Sequence, residues 1–314
     1  KVEKHRAVSA AREEDRMNQA LAALLEENGI SFEENLPMAA YTTFRIGGPA
    51  DLAVFPADER QLAFCLGLFA GEAIVLGNGS NVLVSDRGIA GAVILLGKQF
   101  SPISREGNCL TAQAGAKLSA LSAAAVDAGL SGLEFAAGIP GTVGGGVYMN
   151  AGAYGGELGQ FLESARVMDL AGRIYTLSAA QLDLRYRHSL LMEQPLTLLS
   201  ARFVLPAGDP DASRERIRTL QAARRKKQPL DFPSAGSTFK RPEGGYAAAL
   251  IEQCGLKGCA VGGAQVSPKH AGFVVNTGGA TADDVRALIR HVQQCVEDKT
   301  GIRLEPEIRF LGRP

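Results

Sequence analysis

Ser237 stands in the run Ser234-Ala235-Gly236-Ser237-Thr238-Phe239-Lys240-Arg241-Pro242. A hydroxyl on a Gly-bounded turn comes close to a ligand, and the two cations after it can meet an anion. Two Gly-rich stretches offer backbone instead of side chains. Gly77-Asn78-Gly79-Ser80-Asn81 follows an apolar strand, where free N–H groups suit phosphate oxygens. It is not G-x-G-x-x-G, so a simple dinucleotide fingerprint is a weak reading. The longer stretch is Gly138-Ile139-Pro140-Gly141-Thr142-Val143-Gly144-Gly145-Gly146, continuing through Asn150-Ala151-Gly152-Ala153-Tyr154-Gly155-Gly156. So many missing side chains let backbone wrap a flat or diphosphate ligand, and a loop of that length without one is costly in entropy. Two further elements are Tyr186-Arg187-His188-Ser189 and Leu304-Glu305-Pro306-Glu307. Strand alternation puts Glu305 and Glu307 on one face, although Pro306 disturbs the pairing. Each element also has a plain reading: a tight turn, a surface arginine, a helix cap, two exposed glutamates.

Composition narrows the chemistry. The chain has 314 residues, enough for two or three domains, and its 46% hydrophobic and 21% charged content is that of a globular protein. Lys plus Arg and Asp plus Glu balance at 33 each, so no global field favours nucleic acid or an anionic membrane. No apolar run reaches the roughly 20 residues that span a bilayer, and no signal peptide opens the chain. Cys65, Cys109, Cys254, Cys259 and Cys295 are irregularly spaced and include no C-x-x-C pair. They read as free thiols in a reducing cytoplasm. The four histidines show no metal-ligand spacing, so no metal is expected.

The elements that must position these residues alternate. Residues 1–16 read as a polar extension. Met17 opens a helix with Leu21, Leu24 and Leu25 on one face and Gly29 as its stop. Strands are expected at 52–55, 73–76, 82–84 and 93–96, with a helix capped by Asp58. Further on come a strand at 110–113, a helix through Leu118 and Leu121, a long close-packed loop over 138–156, a hairpin around Ala171-Gly172 and a strand at 196–205. Asp209-Pro210 then breaks the chain before a basic helix from about Ser213 to Lys227. A compact α+β block follows: a helix from Tyr246 to Cys254 ending at Gly255, a strand at 272–276, and a helix capped by Thr281 and closed by Gly301. The last strand carries Glu305 and Glu307.

Together, in order, these motifs resemble the UDP-N-acetylenolpyruvylglucosamine reductase family from about Met17 to Gly312. The resemblance is carried by Thr42-Thr43-Phe44, both Gly-rich stretches, Tyr186-Arg187-x-Ser189, Ala235-Gly236-Ser237-x-Phe239-Lys240 and Leu304-Glu305-Pro306-Glu307. It implies an α+β chain: a two-domain vanillyl-alcohol-oxidase-like (PCMH-type) flavin fold plus a C-terminal α+β substrate-binding domain. The expected division is 17–85, then 86–228 with 302–314, then 229–301. It implies an oxidoreductase, a UDP-N-acetylmuramate dehydrogenase of peptidoglycan precursor synthesis, with non-covalent FAD and with NADPH and UDP-N-acetylglucosamine enolpyruvate using one cleft. FAD is expected on Gly77, Asn78, Gly79, Ser80, Asn81, Gly138, Ile139, Pro140, Gly141, Thr142, Gly144, Gly145, Asn150, Ala151 and Gly152. By the same resemblance Arg187 and Glu307 hold the enolpyruvyl carboxylate and Ser237 delivers a proton to C2. Glu307 serves there only as a hydrogen-bond donor, so an upward pKa shift is expected. Tyr186, Lys227, Lys240 and Arg241 are expected near the substrate. Residues 188–236 leave no room for the additional Tyr-bearing loop of the family's longer form, so Tyr154 is the candidate cover for the diphosphate. Two rivals are an FAD oxidase on the same fold and a nucleotide-binding module that has lost its chemistry.

Overall fold

A computed structural model of the chain describes residues 19–314; the polar extension at 1–16 and Met17 lie outside them. Residues 19–27 form helix α1, which buries Leu25 and ends at Gly29, where φ is 66°. Leu24, expected on the same face as Leu25, is 41% exposed. Five strands follow: β1 (Ser31–Pro37), β2 (Pro49–Phe55), β3 (Ile74–Leu76), β4 (Val82–Val84) and β5 (Ile89–Leu95). Four form a sheet ordered β1-β2-β5-β3, antiparallel at β1–β2 and parallel where β5 meets β2 and β3. Helix α2 (Glu59–Leu68) makes the crossover. Its cap is Asp58, whose side chain accepts from Gln61 N at 2.8 Å. Its buried Leu62, Cys65 and Leu66 pack against Val54 and Ile94 of the sheet.

The second sheet is antiparallel. Its strands are β6 (Ile103–Glu106), β7 (Cys109–Gln113), β10 (Leu162–Met168), β11 (Ile174–Ser178) and β12 (Thr197–Val204), in the order β11-β10-β12-β7-β6. The short β8 (Gly152–Ala153) and β9 (Gly156–Glu157) pair apart from it. Helix α3 (Leu118–Asp127) buries Leu118, Leu121 and Ala125 in the same core as Leu110, Val167 and Phe203. Helices α4 (Val143–Tyr148) and α5 (Pro210–Lys227) complete this part. The C-terminal block contains α6 (Ala247–Gln253), a three-stranded sheet of β13 (Ala260–Val261), β14 (Ala264–Val266) and β15 (Val274–Asn276), and α7 (Ala282–Thr300). As periodicity predicts, α7 buries Val285, Leu288, Ile289, Val292 and Val296, each worth about 1.5–3 kcal/mol when removed from water. The architecture is α+β throughout.

Four expectations need correction. β5 belongs to the first sheet, so a division at 85/86 runs through that sheet. Residues 309–311, as β16 (Arg309–Leu311), pair parallel with β4 and not with the second sheet. Asp209-Pro210 starts α5 rather than interrupting the chain: Asp209 caps it and Pro210 takes the first turn, where no N–H is needed. No regular strand carries Glu305 and Glu307. Pro306, lacking an N–H, makes only an isolated bridge with Phe239. The 138–156 stretch is also more ordered than a loop, because Thr142 caps α4 through its side-chain oxygen and β8 and β9 form a small hairpin.

The first part is tied to the third by side chains. Asp86 Oδ1 accepts from Ala282 N at 2.8 Å and its Oδ2 from Asp283 N at 3.1 Å, at the N-terminus of α7. Phe44, Ile46 and Leu83 enter the core of the C-terminal block. Thr281 completes the helix start: its Oγ1 accepts from Asp284 N at 3.0 Å and Asp284 Oδ2 accepts from Thr281 N at 3.0 Å. Thr281→Ala should therefore lower unfolding stability by about 1 kcal/mol in a denaturant titration. An unchanged midpoint would show that Asp86 alone suffices for the cap.

Candidate active site

A cleft of about 670 Å³ takes its lining from all three parts of the chain, from Leu66 to Leu311. Such a volume is in the range of roughly 300–1,000 Å³ usual for ligand and cofactor sites. One wall is apolar, with Leu76, Leu96, Leu118, Leu170 and Leu198. Another is backbone. Gly77, Asn78, Gly79, Ser80 and Asn81, between β3 and β4, line it, as do Ile139, Pro140, Gly141, Thr142, Gly144 and Gly145 at the start of α4. These two stretches touch. A Cβ on Gly77 would sit 2.3 Å from Thr142 Oγ1, and one on Gly79, at φ +57°, would sit 2.1 Å from Tyr41 O. The packing, as well as the conformation at Gly79, therefore demands glycine. Thr43 N donates to Gly79 O at 3.1 Å, which holds the turn against the Thr42-Thr43-Phe44 segment.

Arg187, Ser237 and Glu307 converge on this cleft. Arg187 occupies a two-residue turn bounded by mutual backbone hydrogen bonds between Arg185 and His188. Its own φ is +54°, in the left-handed region that arginine seldom enters. That conformation lets its Nε donate to Glu307 Oε1 at 2.6 Å while Nη2 donates to Gly152 O at 3.3 Å. Glu307 is set by backbone pairing: its N donates to Thr238 O at 2.8 Å, and Lys240 N donates to Glu305 O at 2.8 Å. Thr238, the residue after Ser237, is clamped to the C-terminal sheet, its N donating to Gly272 O at 2.8 Å and its Oγ1 accepting from Val274 N at 2.9 Å. Asn81 joins the Gly-rich turn to the same segment: its Nδ2 donates to Glu307 O at 3.2 Å and its O accepts from Arg309 N at 2.9 Å. The side chains of Arg187 and Glu307 are only 20% and 11% exposed. Burial pushes the Glu307 carboxyl above its ordinary value, and the charges of Arg187 and Lys240 offset only part of that rise.

Other expected residues fall differently. Ala151, Gly152 and Tyr154 line the cleft. Gly138 and Asn150 do not. Asn150 is fully buried, and its amide is committed to Arg185 O at 3.1 Å and Gly159 N at 2.9 Å, so it positions the loop. Tyr186, Lys227, Lys240 and Arg241 also lie outside the lining. Lys240 is ion-paired with Glu305, Tyr186 OH accepts from Arg241 N at 3.1 Å, and the Arg241 guanidinium stacks 4.5 Å from the Tyr246 ring centroid. Lys227 is exposed at the end of α5. One turn back, Arg224 does line the cleft, with Gln228 four residues on. Burial lowers the pKa of Arg224, and Gln228 Oε1 is buried without a hydrogen-bond partner. Sequence reading offered the basic helix end Arg224-Arg225-Lys226-Lys227 as a diphosphate partner but singled out Lys227; the i, i+4 spacing of Arg224 and Gln228 was the signal for the residues that line the cleft. Arg309, stacked 5.4 Å from the Tyr148 ring centroid, is a second cation missed at the cleft. Among the described residues no group of three or more His, Cys, Asp or Glu is placed to hold a metal ion, and no helix is long and apolar enough to cross a membrane.

Comparison with known proteins agrees with this geometry. Residues 50–178 match an FAD binding domain, and residues 228–311 match the C-terminal domain of UDP-N-acetylenolpyruvoylglucosamine reductase. The chain is 48% identical over 280 residues to the UDP-N-acetylenolpyruvoylglucosamine reductase of Clostridium perfringens, covering 88% of this chain and 92% of that protein. It is 46% identical over 291 residues to that of Lactobacillus delbrueckii subsp. bulgaricus, covering 92% and 98%. Its fold is similar to the crystal structure of the UDP-N-acetylenolpyruvylglucosamine reductase of Thermus caldophilus, with TM-score 0.77, 34% identity, and coverage of 90% of this chain and 98% of that one. The cleft fits a flavin dinucleotide in chemistry as well. Side-chain-free backbone, an apolar wall, the cations Arg224 and Arg309 and the free acceptor of Gln228 suit a flat ring joined to a diphosphate.

The raised Glu307 carboxyl has a stability consequence. A carboxyl whose folded pKa exceeds its unfolded one stabilises the fold fully below the unfolded value, and this contribution is lost as pH rises through the folded value. Wild type should therefore lose stability relative to Glu307→Gln as pH rises from about 4 to 8, read as the difference in urea midpoints. A constant difference would show that the Arg187 charge balances burial, and a growing wild-type advantage that it outweighs burial.

Proposed function

Because the chain belongs to the UDP-N-acetylenolpyruvoylglucosamine reductase family, we propose that its oxidoreductase chemistry in peptidoglycan precursor synthesis converts UDP-N-acetylglucosamine enolpyruvate to UDP-N-acetylmuramate at the cleft where Arg187, Ser237 and Glu307 meet. The observation that carries the reading is the buried 2.6 Å contact of Arg187 with Glu307, two residues 120 positions apart. The backbone hydrogen bond from Glu307 N to Thr238 O ties the segment that follows Ser237 to that of Glu307, and Ser237 lines the same cleft. When bound and reduced by NADPH, FAD supplies a hydride from N5 to C3 of the enolpyruvyl group.

The protein's part is electrostatic and geometric. Addition at C3 leaves negative charge at C2 that spreads into the carboxylate, and preorganised donors lower the barrier to forming it. Arg187 spends N–H groups on Glu307 and Gly152, and its remaining N–H groups serve the substrate carboxylate. Burial favours the neutral form of Glu307, in which it donates a hydrogen bond to the same group. Ser237 gives a proton to C2. A hydroxyl is a weak acid, but an enolate carbon is basic enough to accept from one held in line. The Gly77–Asn81 turn and the Gly141–Gly145 segment hold the FAD diphosphate and ring edge, with Arg224, Gln228 and Arg309 as polar partners. The described lining of the cleft contains no His or Cys, which favours a non-covalently held flavin over the attached one of many oxidases on this fold. An intact Arg187, Ser237 and Glu307 constellation speaks against an inactive nucleotide-binding module.

NADPH and the enolpyruvyl sugar nucleotide use this one cleft in turn. Tyr154, 44% exposed at its edge, covers the substrate diphosphate, with Tyr186, Lys227, Lys240 and Arg241 around it. Gly138 and Asn150 serve the FAD loop from behind. Residues 50–178 carry most of the flavin site and residues 228–311 the substrate block.

Stopped-flow absorbance separates the half-reactions. Ser237→Ala should leave flavin reduction by NADPH within about twofold and slow reoxidation by the enolpyruvyl substrate about 10²–10⁴-fold; equal loss in both halves removes Ser237 as the proton donor. Lys227→Ala should raise the substrate KM about tenfold with kcat little changed, and an unaltered KM returns Lys227 to a solvated helix end.

A further inference from the structure

His188 follows Arg187 directly, and the reading above gives it no role. Its Nδ1 lies 3.1 Å from Asp183 O and its Nε2 lies 2.8 Å from Glu193 Oε1. Both partners are acceptors. A neutral imidazole carries one N–H and can serve only one of them; the doubly protonated ring serves both. Arg185 Nη2 also approaches Nε2, but at 3.4 Å, the long limit of a hydrogen bond, so the 2.8 Å contact with Glu193 decides the role of that nitrogen. The charged groups that face His188 are Asp183 and Arg185 on the hairpin and Glu193 beyond the short turn at 190–192. The His188 side chain is 21% exposed, against 49% for Asp183, 57% for Glu193 and 62% for Arg185. The ring is the enclosed centre of the cluster.

This cluster closes the turn that carries Arg187. His188 N donates to Arg185 O at 3.1 Å and Arg185 N to His188 O at 3.2 Å, leaving Tyr186 and Arg187 as the turn residues. The second of these has positive φ, a place that normally takes Gly or Asn. A non-glycine residue stays in that conformation only when its surroundings over-determine it. One side is fixed by neutral buried bonds: Ser189 Oγ donates to Tyr148 O at 2.7 Å, and Asn150 Nδ2 to Arg185 O at 3.1 Å. On the other side Leu190 N donates to Leu182 O at 2.8 Å, and His188 joins residue 183 before the turn to residue 193 after it.

We propose that His188 is a positioning residue: its ring, in contact with Asp183 O through Nδ1 and with Glu193 Oε1 through Nε2, staples the chain before the turn to the chain after it and thereby holds Arg187 in the left-handed conformation that reaches Glu307 and the cleft. The proposal rests on Arg187 acting in the oxidative half-reaction. Removing the ring releases the staple, so carboxylate binding weakens while flavin reduction by NADPH is untouched.

His188→Ala should slow reoxidation of the flavin by the enolpyruvyl substrate about tenfold and leave its reduction by NADPH within about twofold. Added to Arg187→Ala, it should cost nothing more, because it acts only through that side chain. His188→Gln, which keeps a donor toward Glu193, should recover part of the reoxidation rate lost in His188→Ala. A further loss in the Arg187→Ala background, equal loss in both half-reactions, or a His188→Gln rate no better than that of His188→Ala overturns the proposal. Amide hydrogen exchange tests the staple without turnover: the amides of residues 185 and 188 should exchange faster in His188→Ala, and unchanged exchange overturns it. A wild-type protein whose flavin the substrate fails to reoxidise would refute the proposed reaction and leave this exchange result to decide on the staple.

Discussion

A guanidinium and a carboxylate held together away from water are the constraint around which the site is arranged. Desolvating two charges costs several kcal/mol per ion unless geometry and further hydrogen bonds compensate. Arg187 and Glu307 meet at 2.6 Å, and the arginine also reaches Gly152 O. Compensation is incomplete by design of the cleft, since burial still drives the Glu307 carboxyl toward its neutral form. That residual imbalance leaves a cation with N–H groups to spare beside a carboxyl that burial favours in its neutral form.

Holding such a pair needs rigid backbone from three distant places. The Arg187 turn contains a conformation that must be enforced, and buried Ser189 and Asn150 hold it from below. Glu307 is held by the pairing of residues 238–240 with 305–307, and Thr238 transmits that to β15. Asn81 ties the backbone of Glu307 and Arg309 to the Gly-rich turn after β3. Through it the Gly-rich turn and Glu307 share one hydrogen-bonded unit, so the two cannot drift independently. β16, laid parallel on β4, closes the same unit from the C-terminal end.

The cleft is built for a ligand it does not replace. Arg224 is a cation whose pKa burial lowers, and Gln228 Oε1 is a buried acceptor without a partner. Isolated, both would be costly to a folded chain. They are tolerable where a bound molecule supplies the missing charge and donor.

Much of this was legible in the residues. Apolar runs marked β2, β3, β5, β7 and β12 but not the polar edge strands β1 and β6, and the five-residue face of α7 and its Thr281 cap were read correctly, because period and capping are local properties. The Gly-rich stretches announced a ligand loop, since glycine so dense has few other uses. Order and spacing of motifs identified the family. What stayed hidden depended on partners far along the chain. Pairing alone assigned β5 to the first sheet and β16 to β4. Pro306 already signalled disturbed pairing beside Glu307, but periodicity could not see that Asp209-Pro210 begins a helix instead of ending a segment. Among the basic residues closing α5, composition could not distinguish exposed Lys227 from Arg224 in the cleft, and the pairing of Lys240 with Glu305 left no trace in either segment. The amino-acid order by itself determined which local elements form and which chemical groups are available. The tertiary structure decided which of those groups face one another, because burial and hydrogen-bond pairing between residues more than a hundred positions apart exist only once the chain has closed on itself.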